Sequence, residues 1–200
     1  EDYFEETLER IRNIRSSERR FYQKITDIYS SCSVDYDKDS EITKEFFATV
    51  QNKLIYAVSE KTAAEIISER SDSDKPHMGL TSWSKSPNGK IIQSDVVIAK
   101  NYLKEKELKL LNTLVDGFLT LAENRAMRKI PTSMADWKNV LDSYITLNEL
   151  PRLLDKGKIS SKEAKEIAKS EYEKFRVKQD KTFESDFDKM IKEIKRIEGK

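Results

Sequence analysis

Apolar side chains recur along most of the chain at steps of three, four and seven residues, the spacing that places them on one face of an α-helix. The first stripe runs over residues 1–31 and is interrupted by the polar run Ser16-Ser17-Glu18. The last runs over 160–198 and is interrupted by Gln179. These patterns predict two long amphipathic helices that frame the chain.

Further stripes indicate shorter helices between these two. One follows a capping box of Thr62 and Glu65. Others follow a serine whose hydroxyl can accept hydrogen bonds from the first free backbone N–H groups of a helix. These N-caps are Ser40, Ser94 and Ser133, and Ser160 opens the final helix. A further strong stripe covers 104–129 and ends before a proline. The pattern as a whole predicts an all-α fold.

One stretch, at about 71–94, breaks the helical pattern. Pro76, Gly79 and the Pro87-Asn88-Gly89 turn exclude a continuous helix there. The stretch is either irregular or contains a short hairpin around Asn88-Gly89. The sequence therefore predicts a single helical domain over 1–200 with a small irregular or hairpin insertion.

Composition agrees with long helices whose polar faces are solvated. Charged residues make up 36% of the chain and hydrophobic residues 37%, with only 5 Gly and 4 Pro to break helices. The 37 basic and 36 acidic residues nearly cancel, unlike the strongly basic surface of a typical nucleic-acid-binding domain. No apolar run approaches the ~18 residues of a membrane span. We expect a cytoplasmic protein without a membrane partner.

No motif in the sequence specifies a reaction. Phosphate-binding, dinucleotide-binding, zinc-protease and serine-hydrolase signatures are all missing. One histidine, His77, and one cysteine, Cys32, cannot form a His-rich or Cys-rich metal site. We therefore predict neither a metal nor a cofactor. His77 is interpreted as a surface or turn residue, with a Cys-His dyad as the alternative, and Trp83 and Trp137 as core residues.

The polar interruption of the first stripe contains the candidate catalytic residues Glu18, Arg19, Tyr22 and Lys24. Glu18 falls where the apolar stripe should continue, close to tyrosine and arginine on the helix surface. Such a break is either a hydrogen-bonded layer that fixes helix register or a binding site. If the terminal helices pack antiparallel, Glu18 and Gln179 could meet.

Candidate phosphate-binding residues are Arg19 and Lys24 from this cluster, Asn52 with Lys53, and Lys100 with Asn101. Amide and ammonium groups at helical positions can bind phosphate or a backbone carbonyl. The alternative is an ordinary role on a helix surface.

Several unusual strings resemble the RhuM-type virulence protein family of bacteria, in the same order and over nearly the whole chain: SERRFYQKITDIY (17–29), EFFATVQNKL (45–54), TAAEII (62–67), KPHMGLTSW (75–83), DVVIAKNYL (95–103) and EYEKFRVKQDKTFESDFDK (171–189). The resemblance implies the C-terminal region of such a protein, with a DNA-binding helix-turn-helix segment before it. The missing initiator Met fits that reading. The Fic motif HxFxDGN, found in toxins linked to the family, is absent.

Two functions remain as expectations. The first is a non-enzymatic interaction and oligomerisation domain, a homodimer, of a virulence-associated DNA-binding protein that contacts DNA through the missing N-terminal segment. The alternative is an enzyme or toxin-like domain that acts on nucleic acid or nucleotide through Glu18–Lys24 and Asn52-Lys53.

Overall fold

A computed structural model describes residues 2–16, 21–155, 157–184 and 186–198, without the side chains of residues 16, 21, 22, 186, 187 and 198. Within these ranges the backbone forms α-helices and no strand, which confirms the all-α prediction. The helices are α1 (Tyr3–Ser16), α2 (Phe21–Cys32), α3 (Glu41–Ser59), α4 (Ala63–Arg70), α5 (Glu105–Met127), α6 (Met134–Leu147), α7 (Ser161–Thr182) and α8 (Asp186–Glu198).

Each predicted terminal helix consists of two helices, so the prediction of one continuous helix at each end is wrong. The first divides into α1 and α2, which contact each other. The second divides into α7 and α8, because Phe183 has extended backbone angles (φ −73°, ψ 123°). The apolar stripes stay in phase across both breaks, and periodicity alone therefore hides them.

Contacts group the chain into two compact units. Unit 1 comprises residues 1–63 and 104–157, and unit 2 comprises residues 64–103 and 158–200. A domain is a part of the chain that folds independently, which a grouping of contacts does not test. The single domain therefore stays a prediction.

In unit 1, α5 is the central helix, and α1, α2 and α3 each contact it. Its buried face carries Leu111, Leu114, Val115, Phe118, Leu119 and Ala122. Burying a side chain of leucine or phenylalanine size contributes about 1.5–3 kcal/mol. Between α2 and α3, the Tyr29 ring stacks on Phe46 with centroids 4.0 Å apart. This apolar packing holds unit 1 together.

Three of the four predicted serine caps are confirmed. The hydroxyls of Ser40, Ser133 and Ser160 each accept a hydrogen bond, 3.1 Å long, from a backbone N–H three residues later. The predicted helix after Ser94 is wrong, since only a short 3₁₀ turn, Ala99–Tyr102, forms there.

In unit 2, residues 71–94 are irregular, and the predicted hairpin alternative is wrong. The buried Asp95 carboxylate, 3% exposed, organises the loop that precedes it. It accepts hydrogen bonds from the backbone N–H groups of Ser84 (2.9 Å) and Ile92 (3.0 Å). Side-chain acceptors thus satisfy backbone donors that a β-ladder would otherwise satisfy.

Helix α7 is the long helix of unit 2, and one of its faces is buried. Ala164 and Ala168 are fully buried, and Tyr172 is 7% exposed. Small side chains four residues apart let the neighbouring backbone approach this face closely. None of the helices in the described ranges is long and apolar enough to cross a membrane.

Candidate functional site

Two of the predicted site residues, Glu18 and Arg19, lie outside the described residues, as does the proposed meeting of Glu18 with Gln179. Tyr22 lies in the first turn of α2, and its side chain is also outside the description. Their functional roles stay predictions.

Lys24 links α2 to the end of α1. Its side chain is buried, and Nζ donates a 2.7 Å hydrogen bond to the Arg15 carbonyl oxygen in the last turn of α1. A lysine near the end of a helix can donate to one of its last carbonyl groups. Arg15 in turn binds Glu123 of α5, with 3.1 Å between Nε and Oε1. These contacts give Lys24 a structural role in the packing of unit 1.

Asn52 and Lys53, on α3, also make bonds between elements. Asn52 Oδ1 accepts a 3.1 Å hydrogen bond from the N–H of Ala63, the first residue of α4. Lys53 Nζ binds both carboxylate oxygens of Asp142 on α6, at 2.8 and 3.1 Å. The ammonium group that would bind phosphate is therefore paired with a carboxylate.

Lys100 and Asn101 belong to unit 2, unlike the other described candidates. Both lie in the 3₁₀ turn Ala99–Tyr102 and are half-buried. Asn101 Nδ2 donates to the Asp95 carbonyl oxygen at 2.9 Å, and the Asn101 carbonyl accepts from Thr81 N–H at 2.7 Å. Asn101 is thus an organising residue of the loop.

Unit 2 contains a cleft of about 470 Å³, which the sequence did not predict as a binding site. Four aromatic side chains line it, together with charged and amide groups: His77, Trp83, Phe175 and Phe183, with Lys178, Gln179, Glu184 and Lys189. The imidazole of His77 and the indole of Trp83 lie 4.7 Å apart, centroid to centroid, at 30°. His77 is exposed, as predicted for a turn residue. Trp83 is half-buried, so its assignment to the core is wrong, whereas Trp137 is buried as predicted.

An unusual turn positions His77. His77 and Met78 have left-handed backbone angles (φ 53° and 58°), and Gly79 follows at φ 81°. A Cβ on residue 79 would collide with the Arg70 carbonyl oxygen, so glycine is required there. Left-handed backbone at two consecutive non-glycine residues is costly and is often found at functional sites. Met78, fully buried, anchors the turn.

The side chain of Gln179 joins the loop that lines the cleft to α7. Gln179 Oε1 accepts from Ile91 N–H at 2.8 Å, and its Nε2 donates to the Ile91 carbonyl at 3.0 Å. The Trp83 indole N–H donates to the Gly89 carbonyl at 2.7 Å. The loop that carries Trp83 is therefore held in one position against the helix.

Lysines and carboxylates alternate along this surface. Lys178 binds Asp74 with 2.5 Å between Nζ and Oδ1, and the Asp74 side chain is 84% exposed. Lys90 pairs with Asp180 at 2.8 Å and lies over the Phe183 ring, 4.9 Å from its centroid. These pairs are open to solvent and therefore weak.

Glu171, one turn before the cleft on α7, is held in its charged form. It accepts hydrogen bonds from the Lys174 ammonium at 2.6 Å and from the Ser73 backbone N–H at 2.8 Å. These contacts, with Lys174 the larger cause, lower the pKa of Glu171 to about 2. The carboxylate fixes the loop at Ser73 and is poorly suited to exchange protons near neutral pH.

Helix α8 exposes an apolar stripe. Met190, Ile194 and Ile197 are 56%, 42% and 70% exposed. Steps of four and three residues place them on one helix face, at positions a and d of a heptad. Lys192, on another face, pairs with Glu184. The described side chains thus leave an apolar seam open to solvent.

The described residues contain no group of three or more His, Cys, Asp or Glu side chains arranged to hold a metal ion. Cys32 is 2% exposed, and burial raises the pKa of its thiol to about 12. An activated cysteine needs a lowered pKa, so this thiol lacks the property that a Cys-His dyad requires.

These features define an all-α protein with a loop-built aromatic cleft and an exposed amphipathic helix. The profile of the virulence protein RhuM family matches residues 1–184, and the chain belongs to that family. Helix α8 begins just after the matched residues. None of the curated proteins and none of the solved structures compared with the chain matches it.

Proposed function

We propose that this chain is a non-enzymatic interaction module that forms a homodimer through the apolar seam of α8. The observation that carries the proposal is the exposure of Met190, Ile194 and Ile197 on one face of a regular helix. Large apolar side chains aligned at heptad spacing are typical of helices that bury this seam against another helix.

A second copy of the chain is the partner that the residue order favours. A two-fold interface must be complementary to itself. If two copies of α8 pack antiparallel with residue 192 at the midpoint, Met190 of each copy lies opposite Ile194 of the other. The same arrangement leaves Asp188, Lys192 and Arg196 on the opposite side of each helix, where their charges stay in solvent.

The seam is short, so the pair is expected to be weak. Thirteen residues span about 20 Å at 1.5 Å per residue. Two helices of this length bury less surface against each other than the roughly 1,200–2,000 Å² of a typical stable interface. We therefore expect association that depends on protein concentration. A two-fold pair of this kind matches the symmetry of two-fold DNA sites. The family resemblance implies a contact with DNA. We propose that a segment outside these residues makes that contact in the cytoplasm.

The enzyme alternative draws less support. Among its described residues, Lys24, Asn52 and Lys53 are engaged in bonds between helices of unit 1. A substrate could bind the Lys24 ammonium, the Asn52 amide oxygen or the Lys53 ammonium only in competition with such a bond.

Sedimentation equilibrium over a concentration series tests the proposal. The wild-type chain, 23.3 kDa as a monomer, is expected to approach twice that mass at about 100 μM. Ile194→Glu and Met190→Glu should stay monomeric, because each places a charge in the seam. Both side chains are exposed, so the variants should fold normally.

Leu147→Glu is the matched control. Leu147 is 82% exposed and lies at the end of α6, outside the seam. This variant should dimerise like the wild type. A wild-type monomer at every concentration, or equal dimerisation of Ile194→Glu and wild type, would rule out the proposed interface.

A further inference from the structure

The cleft of unit 2 has the properties of a small-ligand site. Its volume of about 470 Å³ falls within the ~300–1,000 Å³ of typical ligand pockets. All of its lining residues belong to unit 2, so the cleft is complete within that unit. The proposed pairing of α8 does not require this cleft, so a ligand in the cleft would be a separate property of unit 2.

The aromatic wall favours a planar ligand. The imidazole of His77 and the indole of Trp83, tilted by 30° to each other, both line the cleft, as does the Phe175 ring. Stacking of a nucleic-acid base on an aromatic side chain contributes about 1–3 kcal/mol. The rings are held in place beforehand, because Trp83 is bonded to Gly89 and His77 lies in a constrained turn. A ligand therefore loses little free energy in ordering the site.

The rim supplies a cation for an acidic group. Lys178 lines the cleft; its ammonium group pairs with the almost fully exposed Asp74 carboxylate and also donates to the Ser73 carbonyl at 3.2 Å. An exposed ion pair contributes about 0–1 kcal/mol. A phosphate can therefore replace Asp74 at small cost and accept stronger, charge-assisted hydrogen bonds from the ammonium group.

We infer that this cleft binds a mononucleotide, with the base stacked against Trp83 and His77 and the phosphate on Lys178. The Gln179 amide is occupied by the backbone of Ile91, and it is not available to read the edge of the base. Asn88 is the other amide in the lining. The site is thus expected to distinguish bases weakly.

A free nucleotide fits better than a nucleic-acid strand. A strand needs a continuous basic track that neutralises several phosphates. Here Lys90, Lys178 and their neighbours alternate with Asp74 and Asp180, and the chain carries a net charge of only +1. One base and one phosphate are what the cleft can accommodate.

Isothermal titration calorimetry with AMP tests this inference. Adenosine and ribose 5-phosphate serve as probes of the base and the phosphate alone. Wild-type protein should bind AMP more tightly than either fragment. Lys178→Gln should weaken AMP binding by roughly tenfold, the equivalent of one charge-assisted hydrogen bond, and leave adenosine binding unchanged.

Variants of the rings complete the test. His77→Asn suits the left-handed backbone and removes the imidazole, and Trp83→Phe keeps a ring of smaller area. Both should weaken AMP and adenosine alike, by roughly three- to tenfold. Lys181→Gln, an exposed lysine of α7 that does not line the cleft, is the matched control and should bind like wild type.

Several results would overturn the inference. One is the absence of AMP binding at millimolar concentration in the folded wild-type protein. Another is ribose 5-phosphate binding as tightly as AMP, because the rings would then contribute nothing. Tighter binding of a single-stranded oligonucleotide than of AMP would show that the ligand of the cleft is a nucleic-acid strand and not a mononucleotide. His77→Asn and Lys178→Gln change exposed side chains, so the test does not depend on Trp83→Phe folding.

Discussion

The side chain of Gln179 forms two hydrogen bonds with the backbone of Ile91, accepting at 2.8 Å and donating at 3.0 Å, and so joins α7 to the irregular loop of unit 2. An amide can make both bonds at once because it carries a donor and an acceptor side by side. The polar residue that interrupts the last apolar stripe therefore attaches the loop to α7.

Gln179→Leu should lower the free energy of unfolding by about 1–3 kcal/mol. It removes the acceptor of the Ile91 N–H and leaves the Ile91 carbonyl with only the longer bond from the Tyr172 hydroxyl, at 3.4 Å. Urea denaturation monitored by circular dichroism measures the change. Gln93→Leu is the matched control: residue 93 is exposed, and its replacement should change stability by less than about 0.5 kcal/mol. Equal effects of the two substitutions would contradict this role of Gln179.

Gly117→Ala should destabilise unit 1 by about 1–3 kcal/mol through overpacking. A Cβ at this position of α5 would collide with the hydroxyl of Tyr144, which donates a 2.9 Å hydrogen bond to the Leu114 carbonyl. Tyr144→Phe removes the hydroxyl, so the double variant should be much more stable than the sum of the single effects predicts. Strict additivity in denaturant unfolding would show that the collision is relieved elsewhere.

The Lys53–Asp142 pair should contribute measurably to stability. Its side chains are only 17% and 25% exposed, and a double-mutant cycle with Lys53→Met and Asp142→Asn should give a coupling of about 1 kcal/mol. The Lys138–Glu45 pair also joins α3 and α6 but is 31% and 56% exposed. It is the control, and its coupling should be smaller. A larger coupling in the exposed pair would contradict the importance assigned to burial.

Stability should depend on pH through Glu171. Its pKa is lowered from 4.5 to about 2 in the folded chain, chiefly by Lys174. A carboxyl with a lowered folded pKa stabilises the fold above its unfolded pKa and loses this contribution as pH falls through the folded value. Above pH 5, Glu171→Gln should therefore be about 1–2 kcal/mol less stable than wild type. This difference should shrink between pH 4.5 and 2; a constant difference in urea unfolding would exclude the linkage.

The sequence predicted the helices well where a cap and a stripe agree. Ser133, for example, caps a helix whose buried residues Trp137 and Leu141 follow at helical spacing. The prediction failed where one apolar stripe spans two helices, as it does from Ile14 in α1 to Ile25 in α2. It also failed after Ser94, where the buried Asp95 carboxylate binds backbone groups of Ser84 and Ile92 in preference to a helix.

The candidate sites were harder to predict because side-chain partners come from distant residues. Asp142 meets Lys53 across 89 positions, and no local pattern signals that pair. The cleft was missed because left-handed backbone at His77 and Met78 cannot be inferred from residue types that normally avoid it. The Pro-His-Met-Gly turn followed by Trp83 is the only signal, and it indicated a loop.

Pairing through α8 is tested most directly by a distance between two copies. Lys192→Cys can be spin-labelled selectively, because Cys32 is buried and burial raises the pKa of its thiol to about 12. Pulsed electron paramagnetic resonance should detect an intermolecular distance below about 35 Å, since packed helices lie 8–10 Å apart and each label adds a flexible arm. Ile194→Glu should abolish that signal. No intermolecular distance at about 100 μM, or one that survives Ile194→Glu, would contradict the proposed homodimer.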